Sequence, residues 1–222
     1  MLRKIEITRD GSATIAIPEQ HVTYHSIHGA IQESKHVFIE AGLKPMLNKF
    51  ETIHLFEMGF GTGLNALLTL VEALEYKQQI VYHTVELFPL SMDEILQLNY
   101  SEQLHTQDLK KYFLQIHACE WEKGVELHPL FVLHKLNISL TDIIFSKKFH
   151  LIYFDAFAPS AQPELWTESI FEKLYAALET NGILVTYCSK GDVRRAMLSA
   201  DFEVEKLKGP PGKREMIRGI KP

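Results

Sequence analysis

Three carboxylates close three apolar runs: Glu57 ends Ile53-His54-Leu55-Phe56-Glu57, Glu86 ends Ile80-Val81-Tyr82-His83-Thr84-Val85-Glu86, and Asp155 ends Leu151-Ile152-Tyr153-Phe154-Asp155. The first is followed by alternating glycines, Gly59, Gly61 and Gly63, with Phe60 and Thr62 between them. Glycine opens backbone angles closed to other residues and removes the Cβ that would keep a flat ligand off the turn. Such a strand-to-helix turn can hold a dinucleotide, a phosphate or S-adenosylmethionine. The details favour S-adenosylmethionine, because Leu64 stands where a dinucleotide fingerprint has its third glycine and no P-loop lysine follows. An acid at Glu57 would repel a pyrophosphate, but it can accept from a methionine ammonium directly or through water. The alternative role for the glycines is close helix–sheet packing alone.

Glu86 follows Gly63 at the separation at which a doubly wound sheet ends its second strand, and a carboxylate there can accept both hydroxyls of a ribose. Asp155 would lie on the same carboxyl edge of the sheet, the edge at which open α/β sheets bind ligands. There it can orient and deprotonate an ammonium whose lone pair must face a sulfonium methyl. The blander role for Asp155 is capping of the helical region beyond it. Phe157 sits inside the Asp155 loop and could stack on a base. Trp166, Ile170, Leu174 and Leu178 recur every four residues, the spacing of a buried helical stripe.

These groups need a scaffold, and the periodicity supplies one. Residues 5–17 alternate around Asp10-Gly11 as a β-hairpin, and a helical stretch follows over about 29–41. Strands are expected at 53–57, 80–86, 130–136, 149–154 and 182–188, with helices at 63–76, 89–98, 163–179 and 191–200 and an irregular stretch at 100–128. The chain closes with a strand at 202–207, a Gly-Pro-Pro-Gly turn and a strand near 214–220. Alternating strands and helices demand a mostly parallel sheet covered on both faces, and the closing hairpin makes its last strand antiparallel. The expected organisation is one domain over 1–222, with an N-terminal hairpin and helix extension at 1–50 and a Rossmann-like α/β core at 51–222.

Composition sets the remaining bounds. The 222 residues are 46% hydrophobic, enough for one sizeable core, and no Pro/Ser-rich linker or repeat divides them. The N-terminus has no apolar signal core and no run approaches a membrane-spanning length, so a soluble, cytoplasmic protein without a membrane partner is expected. Cys119 and Cys188 lack ligand spacing and the 11 histidines are scattered, so no metal site is expected.

The Glu-Met-Gly-Phe-Gly-Thr-Gly turn, Val85-Glu86-Leu87-Phe88-Pro89-Leu90, Phe154-Asp155-Ala156-Phe157-Ala158-Pro159 with Pro163-Glu164-Leu165-Trp166-Thr167 behind it, and the closing Gly212-Lys213-Arg214-Glu215-Met216 together resemble the methyltransferase domain of the MnmC family. The resemblance runs from about Tyr24 to Gly219. It implies a Rossmann-like class I fold and S-adenosylmethionine-dependent N-methylation of 5-aminomethyl-2-thiouridine at the wobble position in the anticodon region of tRNA. By motif match it places Glu57, Gly59, Gly61, Gly63 and Glu86 on cofactor-binding positions and Asp155 on the catalytic acidic position. Full-length members continue into a flavin-dependent oxidoreductase domain, whereas this chain ends at Pro222, so a separate enzyme is expected to supply the aminomethyl substrate. Where related methyltransferases often carry an acid for the adenine amino group, this chain offers the amide of Asn137.

Charge gives a divided signal about RNA. The net charge of −5 is unlike a domain that coats phosphate backbone, but residues 190–222 hold nine Lys/Arg against five Asp/Glu. Lys190, Arg194, Arg195, Lys213 and Arg214 are the candidate backbone contacts, since focusing needs only a local patch. Two other readings share the fold: a small-molecule N- or O-methyltransferase, and a non-catalytic nucleotide- or RNA-binding protein that has no use for Asp155.

Overall fold

The computed structural model describes residues 2–104 and 109–222. The N-terminal hairpin forms as its alternation requires: β1 (Lys4–Ile7) pairs antiparallel with β2 (Ala13–Ile17), which pairs with a two-residue strand β3 (Val22–Thr23). The side chain of Asp10 accepts from the main-chain N–H of Ser12 at 3.0 Å and of Gln32 at 3.0 Å, tying the hairpin turn to the helix that follows. That helix begins as α1 (Ala30–Ser34) and continues as a π-helical stretch over Lys35–Leu43. Gly42 explains its close seating: a Cβ there would come within 2.9 Å of the Val185 side chain.

The main sheet contains β4 (Thr52–Met58), β5 (Gln79–Val85), β6 (Gly124–His128), β7 (Phe131–Leu136), β8 (Phe149–Phe154), β9 (Leu178–Thr186), β10 (Glu203–Lys208) and β11 (Glu215–Ile220). Their spatial order is β10-β11-β9-β8-β4-β5-β7-β6. The five strands from β9 to β7 run parallel, β6 and β11 run antiparallel to them on either side, and β10 pairs antiparallel with β11 at the far edge. Chain order reverses direction at the β4–β8 pair, which makes this the switch point where such sheets hold ligands.

Strand alternation divides the core between the two faces. Leu55, Tyr82, Leu151 and Tyr153 bury against the π-helical stretch, α2 (Leu64–Tyr76) and α5 (Leu109–Ala118). Phe56, Ile152 and Phe154 face the opposite way, towards α6 (Glu168–Ala177) and α7 (Gly191–Ser199). Two short helices, α3 (Met92–Ile95) and α4 (Tyr100–Gln103), join the first of these clusters through Ile95 and Tyr100.

Three expectations are corrected. The helix expected at 89–98 shrinks to α3, because the Ser91–Glu94 capping box starts it late. The stretch expected to be irregular at 100–128 carries α4, α5 and β6, with residues 105–108 outside the described residues. The helix expected at 163–179 splits into a 3₁₀ turn at Pro163–Leu165 and α6, capped by Thr167, and the chain turns into β9 at Leu178. Trp166 therefore precedes the helix rather than belonging to its stripe. Its Nε1 donates to the carbonyl of Phe157 at 2.8 Å and so pins the loop that carries Asp155.

Candidate active site

The glycine turn joins β4 to α2 at the switch point. Gly59, Gly61 and Gly63 have φ of +89°, +49° and +69°, the left-handed region that side chains disfavour. A Cβ at Gly59 would also stand 2.9 Å from the main-chain oxygen of Asp155, so this glycine lets the β4 and β8 ends approach each other. The Asp155 N–H donates to Met58 O at 3.1 Å across the same gap. His25, from the N-terminal extension, shares a 2.7 Å hydrogen bond with Thr62 Oγ1, and burial pushes its imidazole down to about 4, keeping it neutral at pH 7.

The three sequence carboxylates occupy three environments. Glu86 accepts from Gly61 N–H at 3.0 Å and Phe88 N–H at 2.8 Å, one on each oxygen, which leaves each oxygen a further lone pair for a ligand hydroxyl. Asp155 borders the cavity and is half-buried; its Oδ2 accepts from Asn65 Nδ2 at 2.9 Å. Desolvation by the surrounding protein, aided by the Glu33 charge and opposed by Asn65 and Lys213, pushes its carboxyl up to about 7. Glu57 is 1% exposed, takes a 3.0 Å bond from Thr84 Oγ1, and is pushed by burial and by the Asp155 charge up to about 8. It lies beneath the cavity rather than on its wall.

The cavity, of about 380 Å³, is bounded by the glycine turn, Glu86, Leu87, Ile138, Asp155 and Phe157. Its size falls in the range of small-molecule sites, and apolar walls with one free diol acceptor and an open glycine floor fit a nucleoside-bearing methyl donor. Phe60 and Thr62 line it with Gly59 and Gly61, while Gly63 lies outside the lining. Sequence reasoning missed a whole wall: Arg3, Ile17, Gln20, Tyr24 and His25 reach it from the N-terminal extension. A second groove of about 720 Å³ shares Tyr24, Ala156 and Phe157 with the first and adds Glu33, Tyr187 and Lys213. The rings of Tyr24 and Phe157 meet edge-on at 5.1 Å where the two spaces adjoin. The only advance signal for this wall was the length of the extension.

The remaining candidates scatter. Asn137 lies outside the cavity lining, and its Nδ2 donates to Glu86 O at 2.6 Å, so it buttresses the Glu86 loop instead of facing a ligand; Ser139 and Thr141 line the cavity beyond it. Lys213 borders the groove, its Nζ 2.7 Å from Glu33 Oε1 and 3.8 Å over the Tyr187 ring. Lys190, Arg194 and Arg195 lie at or on the first turns of α7, Arg195 paired with Asp192, and Arg214 is exposed in the β10–β11 turn. None of these four lines the cavity or the groove. Lys206 and Arg218 are paired with Glu215 and Glu205, so part of the basic segment is neutralised by its own neighbours. Among the described residues no group of three or more His, Cys, Asp or Glu could hold a metal, and no helix is long and apolar enough to cross a membrane.

A doubly wound sheet with a nucleoside-sized cavity at its switch point and a half-buried carboxylate on that cavity's wall defines a class: an α/β protein of the nucleotide- and nucleoside-binding kind. A family model described as S-adenosyl-L-methionine-dependent methyltransferase matches residues 97–222, and the chain belongs to that family. The "tRNA 5-methylaminomethyl-2-thiouridine biosynthesis bifunctional protein MnmC" of Leptospira interrogans is 33% identical over 212 residues, covering 88% of this chain and 32% of that protein. The protein of the same name from Pseudoalteromonas atlantica is 32% identical, covering 97% and 33%. The chain thus spans about a third of the length of the curated relatives it matches. Among solved structures, MNMC2 from Aquifex Aeolicus shares the fold with a TM-score of 0.82 at 24% identity, over 98% of this chain and 69% of that one. Spermidine synthase from Thermotoga Maritima shares it more loosely, at 0.53 and 15% identity over 99% and 69%.

Proposed function

We propose that this methyltransferase N-methylates an aminomethyl group on the wobble uridine of tRNA, in the cytoplasm, on an amine that another enzyme supplies. The observation that carries the reading is the position of Asp155, on the wall of the donor cavity and beside the aromatic groove. The name of the relatives from Leptospira and Pseudoalteromonas supports the tRNA substrate. Glu86 and the main chain at 59–63 would hold S-adenosylmethionine, which supplies a sulfonium methyl open to an amine lone pair.

The chain's own residues then do the rest. An aliphatic amine arrives as an ammonium, and Asp155 must take one of its protons before the nitrogen has a lone pair to offer. A carboxyl raised to about 7 accepts that proton more readily than an ordinary aspartate. Phe157, Tyr24 and Tyr187 supply ring faces and edges for a uracil in the groove. Lys213 is the one basic candidate of the closing segment beside that groove; Lys190, Arg194, Arg195 and Arg214 would contact phosphates farther along the RNA.

The test is labelled methyl incorporation into tRNA that carries 5-aminomethyluridine, beside free nucleoside and small amines. Transfer to the tRNA alone supports the reading. Efficient transfer to small amines with none to tRNA replaces it with a small-molecule enzyme.

A further inference from the structure

A fully buried lysine stands beside the glycine turn. Lys135, near the end of β7, is 0% exposed, and its Nζ donates to the carbonyls of Ile116 at 2.8 Å and His117 at 2.7 Å. Both belong to the last turn of α5, whose carbonyls have no partner within the helix and whose dipole favours a cation. The faces of Trp121 and Phe60 complete the surroundings, their ring centroids 4.7 Å and 5.4 Å from Nζ. A lysine is buried only where such partners replace its water, and methyl transfer makes no use of this one.

The helix end that Lys135 holds carries His117 to the turn. His117 Nε2 lies 3.1 Å from Thr62 O, and its ring meets that of Phe60 at 5.2 Å. A carbonyl only accepts, so Nε2 carries the proton. Burial pushes the imidazole down to about 4, which keeps it neutral at pH 7. Gly63 makes room for it: a Cβ there would stand 2.8 Å from His117 Nε2. With His25 on the Thr62 hydroxyl, two imidazoles hold one residue of the cavity wall by its side chain and by its main chain.

We propose that Lys135 and His117 form a positioning relay, in which the lysine ammonium fixes the end of α5 and the Nε2–H of His117 fixes the Thr62 carbonyl, so that the turn presents its main chain to the methyl donor. Neither residue lines the cavity, and the relay reaches the donor through Thr62. The missing Cβ of Gly63, which lies outside the cavity lining, serves the approach of His117 rather than that of the ligand.

The inference rests on the reading of the turn as the donor site, and one calorimetric series separates the two. S-adenosylhomocysteine is titrated into wild type, H117L, H117Q, K135M and the double variant H117L/K135M. H117L loses about tenfold in affinity, the size of one hydrogen bond that no longer holds the turn. H117Q, whose amide N–H can reach the same carbonyl, recovers about threefold of that loss. K135M loses about fivefold, with two carbonyls of α5 left unpaired. Because Lys135 acts through His117, the double variant binds no more than about twofold more weakly than H117L. Losses that simply multiply would show two independent packing effects and overturn the relay, as would wild-type affinity in H117L or no recovery in H117Q. If K135M does not fold, K135Q, which keeps a donor for the helix carbonyls, takes its place in the cycle. Should wild type itself bind no S-adenosylhomocysteine, the reading of the donor site fails and the relay with it.

Discussion

Asp155 and Glu57 share a buried edge of the sheet but titrate with different consequences. Asp155 works as an acceptor only when ionised, and its carboxyl sits at about 7. Activity should therefore climb with pH through about 7 and level off above it, as a pH profile of kcat/KM will read. D155N should lower kcat about 100-fold or more, the usual size of a general-base contribution, with donor affinity little changed. Glu57, off the cavity wall, is read through stability. Its carboxyl is near 8 in the fold against an ordinary 4.5, so the native state holds a proton that the unfolded chain releases. By linkage, the native state loses stability as pH rises between those two values. Melting curves should show wild type losing ground to E57Q across that window; parallel curves would mean that Glu57 is ionised throughout. Glu86→Ala removes the diol acceptor and should weaken S-adenosylhomocysteine binding about tenfold in a calorimetric titration.

The glycine turn is the element on which the site depends, and its three residues fail differently when substituted. Gly59→Ala combines a positive φ with a Cβ 2.9 Å from the Asp155 carbonyl, so it should cost about 1–3 kcal/mol of stability and displace the Asp155 loop. Thermal melts and kcat measured together check this; loss of stability without loss of kcat would show the loop to be independent of the turn. The turn, the first two parallel strands and the Asp155 strand were legible in the sequence because each couples an apolar run to a residue type that a loop at that edge requires. Pro163 and the fourfold spacing of Trp166, Ile170, Leu174 and Leu178 misled, because a 3₁₀ turn followed by a capped helix can bury the same stripe. Asn137 was placed correctly after β7 but not turned towards the cavity, since one amide can serve main chain or ligand and sequence does not choose. The pairing of Lys213 with Glu33 joins residues from opposite ends of the chain, and nothing local announces it.

At the scale of the molecule, the N-terminal extension does more than precede the core. It supplies one wall of the donor cavity, and through Glu33 it holds the lysine beside the acceptor groove. The net charge of −5 confines basic surface mainly to the closing segment, so under the proposed reading tRNA contact rests on Lys190, Arg194, Arg195, Lys213 and Arg214. Binding measured against salt should then fall with a slope of no more than about five phosphate equivalents, and a slope near ten, that of a phosphate-coating protein, would contradict it. The central claim is that Asp155 readies an amine on tRNA for the methyl of S-adenosylmethionine. Its most direct measurement is transfer of labelled methyl to tRNA bearing 5-aminomethyluridine by wild type and by D155N, with S-adenosylhomocysteine affinity recorded for both. The account predicts labelled 5-methylaminomethyluridine from wild type, almost none from D155N, and equal affinity. Equal labelling by the two proteins, or no labelling of tRNA by either, would contradict it.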